Sequence, residues 1–106
     1  MALKWPDKDP DEQLDYSIDW SRYLGDDTIS SVVWYIEDAD GVKQEWPGTI
    51  VTNELQHISS SNTNTVATIQ LALGNNNTTY TIYCEITTAA GIVTERKIRI
   101  RVQERS

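Results

Sequence analysis

A chain of 106 residues is the size of one domain with one core, and a formal net charge of −7 argues against a general nucleic-acid binder. One cysteine excludes an internal disulfide, no apolar run reaches transmembrane length, and Met1 to Pro6 lacks the apolar stretch of a secretory signal. The expectation is a protein made in the cytoplasm, with no membrane partner, that stays there or leaves by lysis.

Phenylalanine is absent, so four Trp and five Tyr have to fill much of the core. Residues 1–13 hold two prolines and a cluster of charges before any periodicity begins. Each proline fixes its own φ and biases the residue before it toward extended backbone, so 1–13 is expected to be an extended N-terminal arm and 14–106 the domain. Trp5 stands out, because a solvated tail has no use for an indole. Leu14, Tyr16, Ile18 and Trp20 then alternate with Asp15, Ser17 and Asp19, the period of a half-buried strand. A helical turn at Arg22 to Leu24, stopped by Gly25, makes a corner. Thr28 to Glu37 reads as the second strand, with Val32, Trp34 and Ile36 inward and Val33 and Tyr35 on the other face. Asp38 to Gly41 turns the chain, and Val42 to Trp46 returns as far as Pro47-Gly48. Thr49 to Ile58 is extended with weak alternation, and Ser59 to Thr65 reads as a polar loop.

Val66 to Leu73 is rich in β-formers, with Ala67, Ile69, Leu71 and Leu73 sharing a face, and Gly74 to Asn77 tolerates the positive φ of a turn. The strongest pattern closes the chain. Around Ala89-Ala90-Gly91, Tyr80, Ile82, Cys84 and Ile86 share one face of a first run, and Ile92, Ile98, Ile100 and Val102 one face of a second. This is a β-hairpin with one buried face, which a second sheet has to cover. Six or seven short strands without a long helix make an all-β, two-sheet antiparallel sandwich of immunoglobulin-like architecture, with Tyr80 where a tyrosine corner would place it. The inter-sheet disulfide of antibody domains is missing. In such sandwiches the first strand often lies beside the last, which would bring Asp15 and Asp19 close to Lys97, Arg99 and Arg101.

Asp7, Asp9 and Asp11 alternate as calcium ligands do in a binding loop. Glu12 occupies the glycine position, Pro10 stiffens the loop and Ile18 stands where the bidentate glutamate belongs, so a solvated acidic arm is the better reading. The single histidine, His57, rules out a multi-histidine zinc site, and Cys84 is expected inward as a small apolar residue. No carboxylate lies in an apolar setting that would raise its pKa for acid–base work. Neither an enzyme nor a cofactor or metal site is expected. Residues 1–53 carry twelve acids and four bases, and residues 54–106 four acids and five bases: Arg96, Lys97, Arg99, Arg101 and Arg105. A phosphate-binding stripe is one reading of these bases, and an outward strand face balancing acidic neighbours is the preferred one. Trp5, Tyr35 and Trp46 lie in or near loops and edges, as stacking residues do in carbohydrate-binding sandwiches, although packing explains tryptophan more often.

The run Lys4-Trp5-Pro6-Asp7-Lys8-Asp9-Pro10-Asp11-Glu12, followed by Leu14-Asp15-Tyr16-Ser17-Ile18-Asp19-Trp20, Leu24, Gly25, Thr28-Ile29 and Trp34, resembles the opening of small tail-associated proteins of tailed phages and prophages. These are fibre-to-tail adaptors. Tyr80-Thr81, Ile86-Thr87-Thr88-Ala89-Ala90-Gly91, Glu95-Arg96, Ile98 and Arg101-Val102 are similar to the end of the same family. The extra acid Asp27 and a longer segment from Ile36 to Trp46 depart from its pattern. The resemblance implies a non-enzymatic virion component, made in the bacterial cytoplasm, that forms homo-oligomers and joins phage tail proteins to each other or to receptor-binding fibres. The alternative is a carbohydrate- or protein-binding sandwich module. In an adaptor, the arm would bind partners, with Trp5 as anchor and Asp7, Asp9 and Asp11 giving register against a basic surface such as Arg99 and Arg101 of a neighbouring copy. Trp5 folded back as a lid on its own core fits the same residues equally well.

Overall fold

A computed structural model describes residues 3–5, 8, 9, 12–37, 41–46 and 55–104. Its elements are β1 (Leu3–Lys4), β2 (Leu14–Asp19), the helical turn α1 (Ser21–Leu24), β3 (Ile29–Glu37), β4 (Lys43–Trp46), β5 (Leu55–Asn62), β6 (Val66–Leu73), β7 (Thr78–Thr88) and β8 (Val93–Val102). Strands β4-β3-β7-β8 form one antiparallel sheet and β2-β6-β5 the other, while the two residues of β1 add to the outer edge of β8 in parallel. This is an all-β sandwich with the strand order of the immunoglobulin-like architecture.

Alternation explains which residues meet between the sheets. Tyr16 and Ile18 of β2, Trp34 of β3, Ile69 and Leu71 of β6, Tyr80, Ile82, Cys84 and Ile86 of β7, and Ile98 and Ile100 of β8 are all buried, as is Trp20 just beyond β2. The hairpin pairs Ile82 with Ile98 and Tyr80 with Ile100, so both inward rows point at the smaller sheet. Tyr80 forms the corner: its Oη accepts the Asn75 N–H at 2.8 Å. Gly25 stops α1 with φ +60°, and its N–H donates to the Ser21 carbonyl at 3.1 Å.

Four expectations need correction. β2 does not lie beside β8; it pairs with β6, placing Asp15 opposite Gln70, and the arm takes the edge of β8 instead. Asp19 still feels Arg96 of that strand: Ser21 hydrogen bonds hold its carboxyl below the ordinary value, and Arg96 adds a smaller pull. The polar loop expected from Ser59 is strand as far as Asn62, because β5 borders solvent and its serines lose nothing by facing water. Leu73 leaves its row at φ +60° and is exposed, since the chain there swings into the corner over Gly74. A Cβ on Gly74 would meet Val102 at 2.7 Å, so only glycine lets the corner pack this closely. Ile92 is 49% exposed: it closes the hairpin turn, its carbonyl accepting the Thr88 N–H at 2.8 Å. The turn at Asp38 to Asp40, the Pro47-Gly48 stop and the stretch 49–54 lie outside the described residues.

The arm docks on its own domain. Leu3 and Lys4 pair with Ile98 and Arg99, the Trp5 N–H donates to the Arg99 carbonyl at 2.9 Å, and the Lys8 N–H to the Arg101 carbonyl at 2.9 Å. Trp5, 7% exposed, stacks on Tyr16 with ring centroids 4.9 Å apart and tilts against Trp34 at 6.2 Å. Lys8 is fully buried, and its Nζ donates to the carbonyls of Asp9 at 2.8 Å and Leu73 at 2.7 Å.

Removing Trp5 therefore opens a cavity in the core. Trp5→Ala should lower unfolding stability by about 3–5 kcal/mol, as large-to-small core changes do, and the shift in denaturant midpoint measures it. Ile98→Ala should cost about 2–5 kcal/mol by the same assay.

Candidate interaction surface

The outward residues of the larger sheet follow from the registers that bury the inward ones. Tyr35 of β3 stands opposite Tyr83 of β7, and Tyr83 opposite Lys97 of β8, so two phenol rings and an ammonium share one row. Thr81 with Arg99 and Thr79 with Arg101 continue the surface in one direction, and Glu85 with Glu95 in the other. Basic and acidic groups thus flank the tyrosine row on opposite sides.

The row is held in place. Lys43 of β4 lies over the Tyr35 ring at 4.3 Å and the Tyr83 ring at 5.2 Å, and its Nζ forms an ion pair with Glu95. That pair raises the Lys43 pKa. The Tyr83 hydroxyl donates to the Glu37 carboxylate, and this bond, with burial and the nearby negative charge, pushes the phenol up to about 12. Both rings keep part of their surface in water. Fixed, half-exposed tyrosines beside arginine are the composition of protein-protein contact surfaces.

The residues expected to bind partners divide. Arg99 is exposed and Arg101 partly so on the outward face of β8. Trp5 is inside its own core, with its indole against Tyr16 and Trp34. Asp9 is half-buried in a turn where its N–H donates to the Glu12 carboxylate at 2.9 Å and its carbonyl accepts the Glu12 N–H at 3.0 Å. Asp7 and Asp11 lie outside the described residues. Arg96, grouped with the basic strand by sequence, turns inward instead, with its guanidinium 4.4 Å from the Trp20 ring. Trp46, a candidate for glycan stacking, is buried. The tyrosine row escaped notice because Tyr35 and Tyr83 sit on different strands; only the β3–β7 register puts them together.

Burial pushes the Cys84 thiol up to about 12, which leaves it protonated and unreactive at neutral pH. Among the described residues no group of three or more His, Cys, Asp and Glu is arranged to hold a metal ion. No described helix is long and apolar enough to cross a membrane.

The model of a protein family described as podophage GP4 fiber-tail adaptor protein gp77 matches residues 8–101. The chain belongs to the Gp77 fibre-tail adaptor family. A comparison with curated proteins returns no match. The Gp77 match begins at Lys8, the residue that pins the arm, and ends at Arg101 on the basic strand. It covers the whole tyrosine row.

His57 of β5 gives this Gp77 domain a pH dependence. Its ring meets Trp46 edge-on at 5.3 Å, and burial lowers its pKa below the ordinary 6.5, with only partial offset from a hydrogen bond to the Trp46 backbone. Protonation consequently favours the unfolded chain. This stability contribution is complete above pH 6.5 and falls as pH drops toward the lower folded-state value. In denaturant titrations across that window, His57→Gln should lose the slope that the unmodified protein shows.

Proposed function

We propose that this Gp77 protein is a non-enzymatic adaptor of the phage tail, made in the bacterial cytoplasm and carried in the virion. It joins tail proteins to each other or to receptor-binding fibres. Its partner contact is the outer face of the larger sheet, centred on Tyr35 and Tyr83 and extended by Lys97, Arg99 and Arg101. The observation that carries the reading is the locked Lys43–Tyr35–Tyr83–Glu95 cluster. A solvent face has no need of so ordered an arrangement, whereas a docking face gains by losing little side-chain freedom on binding.

The acids of the arm contribute to the same surface in this proposal. The backbone pairs with β8 at Trp5 and Lys8, which sets Asp9 close to the strand that carries Arg99 and Arg101 within one molecule. A glycan-binding role receives less support, because Trp5 and Trp46 are committed to the core.

Binding of the tail and fibre proteins of the same phage tests the reading. Tyr83→Ala should weaken capture by about 2 kcal/mol or more, roughly thirtyfold in Kd. Arg99→Glu with Arg101→Glu should weaken it and reduce its dependence on salt. Both variants should keep the far-ultraviolet circular dichroism of the sandwich. Unchanged affinity in both variants would exclude this face as the contact.

A further inference from the structure

Among the described residues the sandwich has several border strands, and each but one carries a device that discourages pairing with another chain. The arm covers β8 from Ile98 to Gln103 by backbone hydrogen bonds, and the uncovered start of that strand carries Glu95 and Lys97. β4 has only four residues, and Lys43 and Glu45 are two of them. β2 presents Asp15 and Asp19. Short edges and edge charges are the ordinary protections against edge-to-edge association.

β5 differs. It is eight residues long, Leu-Gln-His-Ile-Ser-Ser-Ser-Asn, without one charged side chain at neutral pH, and it stands at the border of its sheet among the described residues. Six of its residues, Gln56 and Ile58 to Asn62, are exposed. A register shift between His57 and Ser59 leaves Ile58 out of the pairing with β6, 45% exposed. Past this bulge, Ser59, Ser60, Ser61 and Asn62 pair regularly with Gln70, Ile69, Thr68 and Ala67, so four consecutive uncharged residues hold an unbroken register.

We infer that this edge pairs with β5 of a second copy of the chain, antiparallel about a two-fold axis within Ser59–Ser61, joining the two smaller sheets into one of six strands. Charge selects the occupant. Two copies carry −7 each and repel, and pairing through β2 would set Asp15 and Asp19 against their own counterparts. At β5, serine and asparagine meet serine and asparagine, and the repulsion has no local partner. An edge built for a different chain is expected to use charges to fix register. β5 has none, and a two-fold interface is self-complementary, so the same uncharged residues serve on both sides. Ile58 of each copy, stranded at the bulge, gains a neighbour beside the axis. The outer faces of both larger sheets remain free, so the dimer presents two partner surfaces; that consequence rests on the adaptor reading, while the pairing itself does not.

Light scattering across a concentration series, on the full chain, tests the pairing. The unmodified protein should show a dimer mass, and Ser59→Lys with Ser61→Lys should weaken dimerisation by about tenfold or more with circular dichroism and melting temperature retained. Single substitutions Ser59→Cys, Ser60→Cys and Ser61→Cys add a positional readout, because the native Cys84 is buried and does not compete. The variant nearest the axis should cross-link to its copy on oxidation far faster than Asp15→Cys. A monomer throughout the soluble range, a dimer indifferent to the two lysines, equal cross-linking at Asp15→Cys, or a monomer that instead captures an extended tail or fibre segment along β5 would each overturn the inference. Arg99→Glu with Arg101→Glu should leave the dimer intact, so loss of partner capture and loss of pairing are separable failures.

Discussion

The contact of Trp5 with Tyr16 and Trp34 is what closes the sandwich. Tyr16 belongs to the smaller sheet and Trp34 to the larger, so the arm's indole touches both layers. Immunoglobulin-like domains commonly tie their sheets with a disulfide, and this chain has one cysteine. Aromatic area takes over that task, at a position supplied by a segment outside the regular strands. The indole stays there because the backbone on either side of it is fixed: β1 precedes it, and Lys8 follows it.

Lys8 shows how the arm tolerates a charge inside. An ammonium without water costs several kcal/mol unless its donors are satisfied. Here two carbonyls accept from it, one of them at the Leu73 corner where the strand has already broken its alternation. Leu73 and Gly74 both take positive φ at this corner. One local distortion therefore serves both the β6–β7 crossing and the docking of the arm.

Much of this was legible from the sequence, for a physical reason. β7 and β8 alternate without interruption over long runs, and a buried face leaves them a single register, so their inward residues could be named in advance. β2 and the first part of β6 are equally plain. Where the pattern misled, it ran past the core: Ile92 and Leu73 keep the period but not the burial, since periodicity does not record where the opposing sheet ends. β1 has two residues and no period to detect, and its parallel pairing arises from position rather than pattern. The serines of β5 resemble a loop because an edge strand exposed to water needs no apolar side. For the candidate site, Arg99 and Arg101 were visible as an alternating basic strand. The tyrosine row was not, because it belongs to the sheet and to no single segment.

The parallel docking of the arm on β8 has a mechanical side. Both segments run in the same direction, and the hydrogen bonds at Trp5, Lys8 and Gln103 lie across the gap between them. Force applied at the two ends of the described chain pulls these segments past each other along their length. The bonds are then loaded together in shear, whereas an antiparallel edge pulled from one side opens bond by bond. Sliding also has to drag the Trp5 indole from between the rings that hold it. Resistance to tension is therefore built in where the chain begins and ends, by a few hydrogen bonds and one side chain.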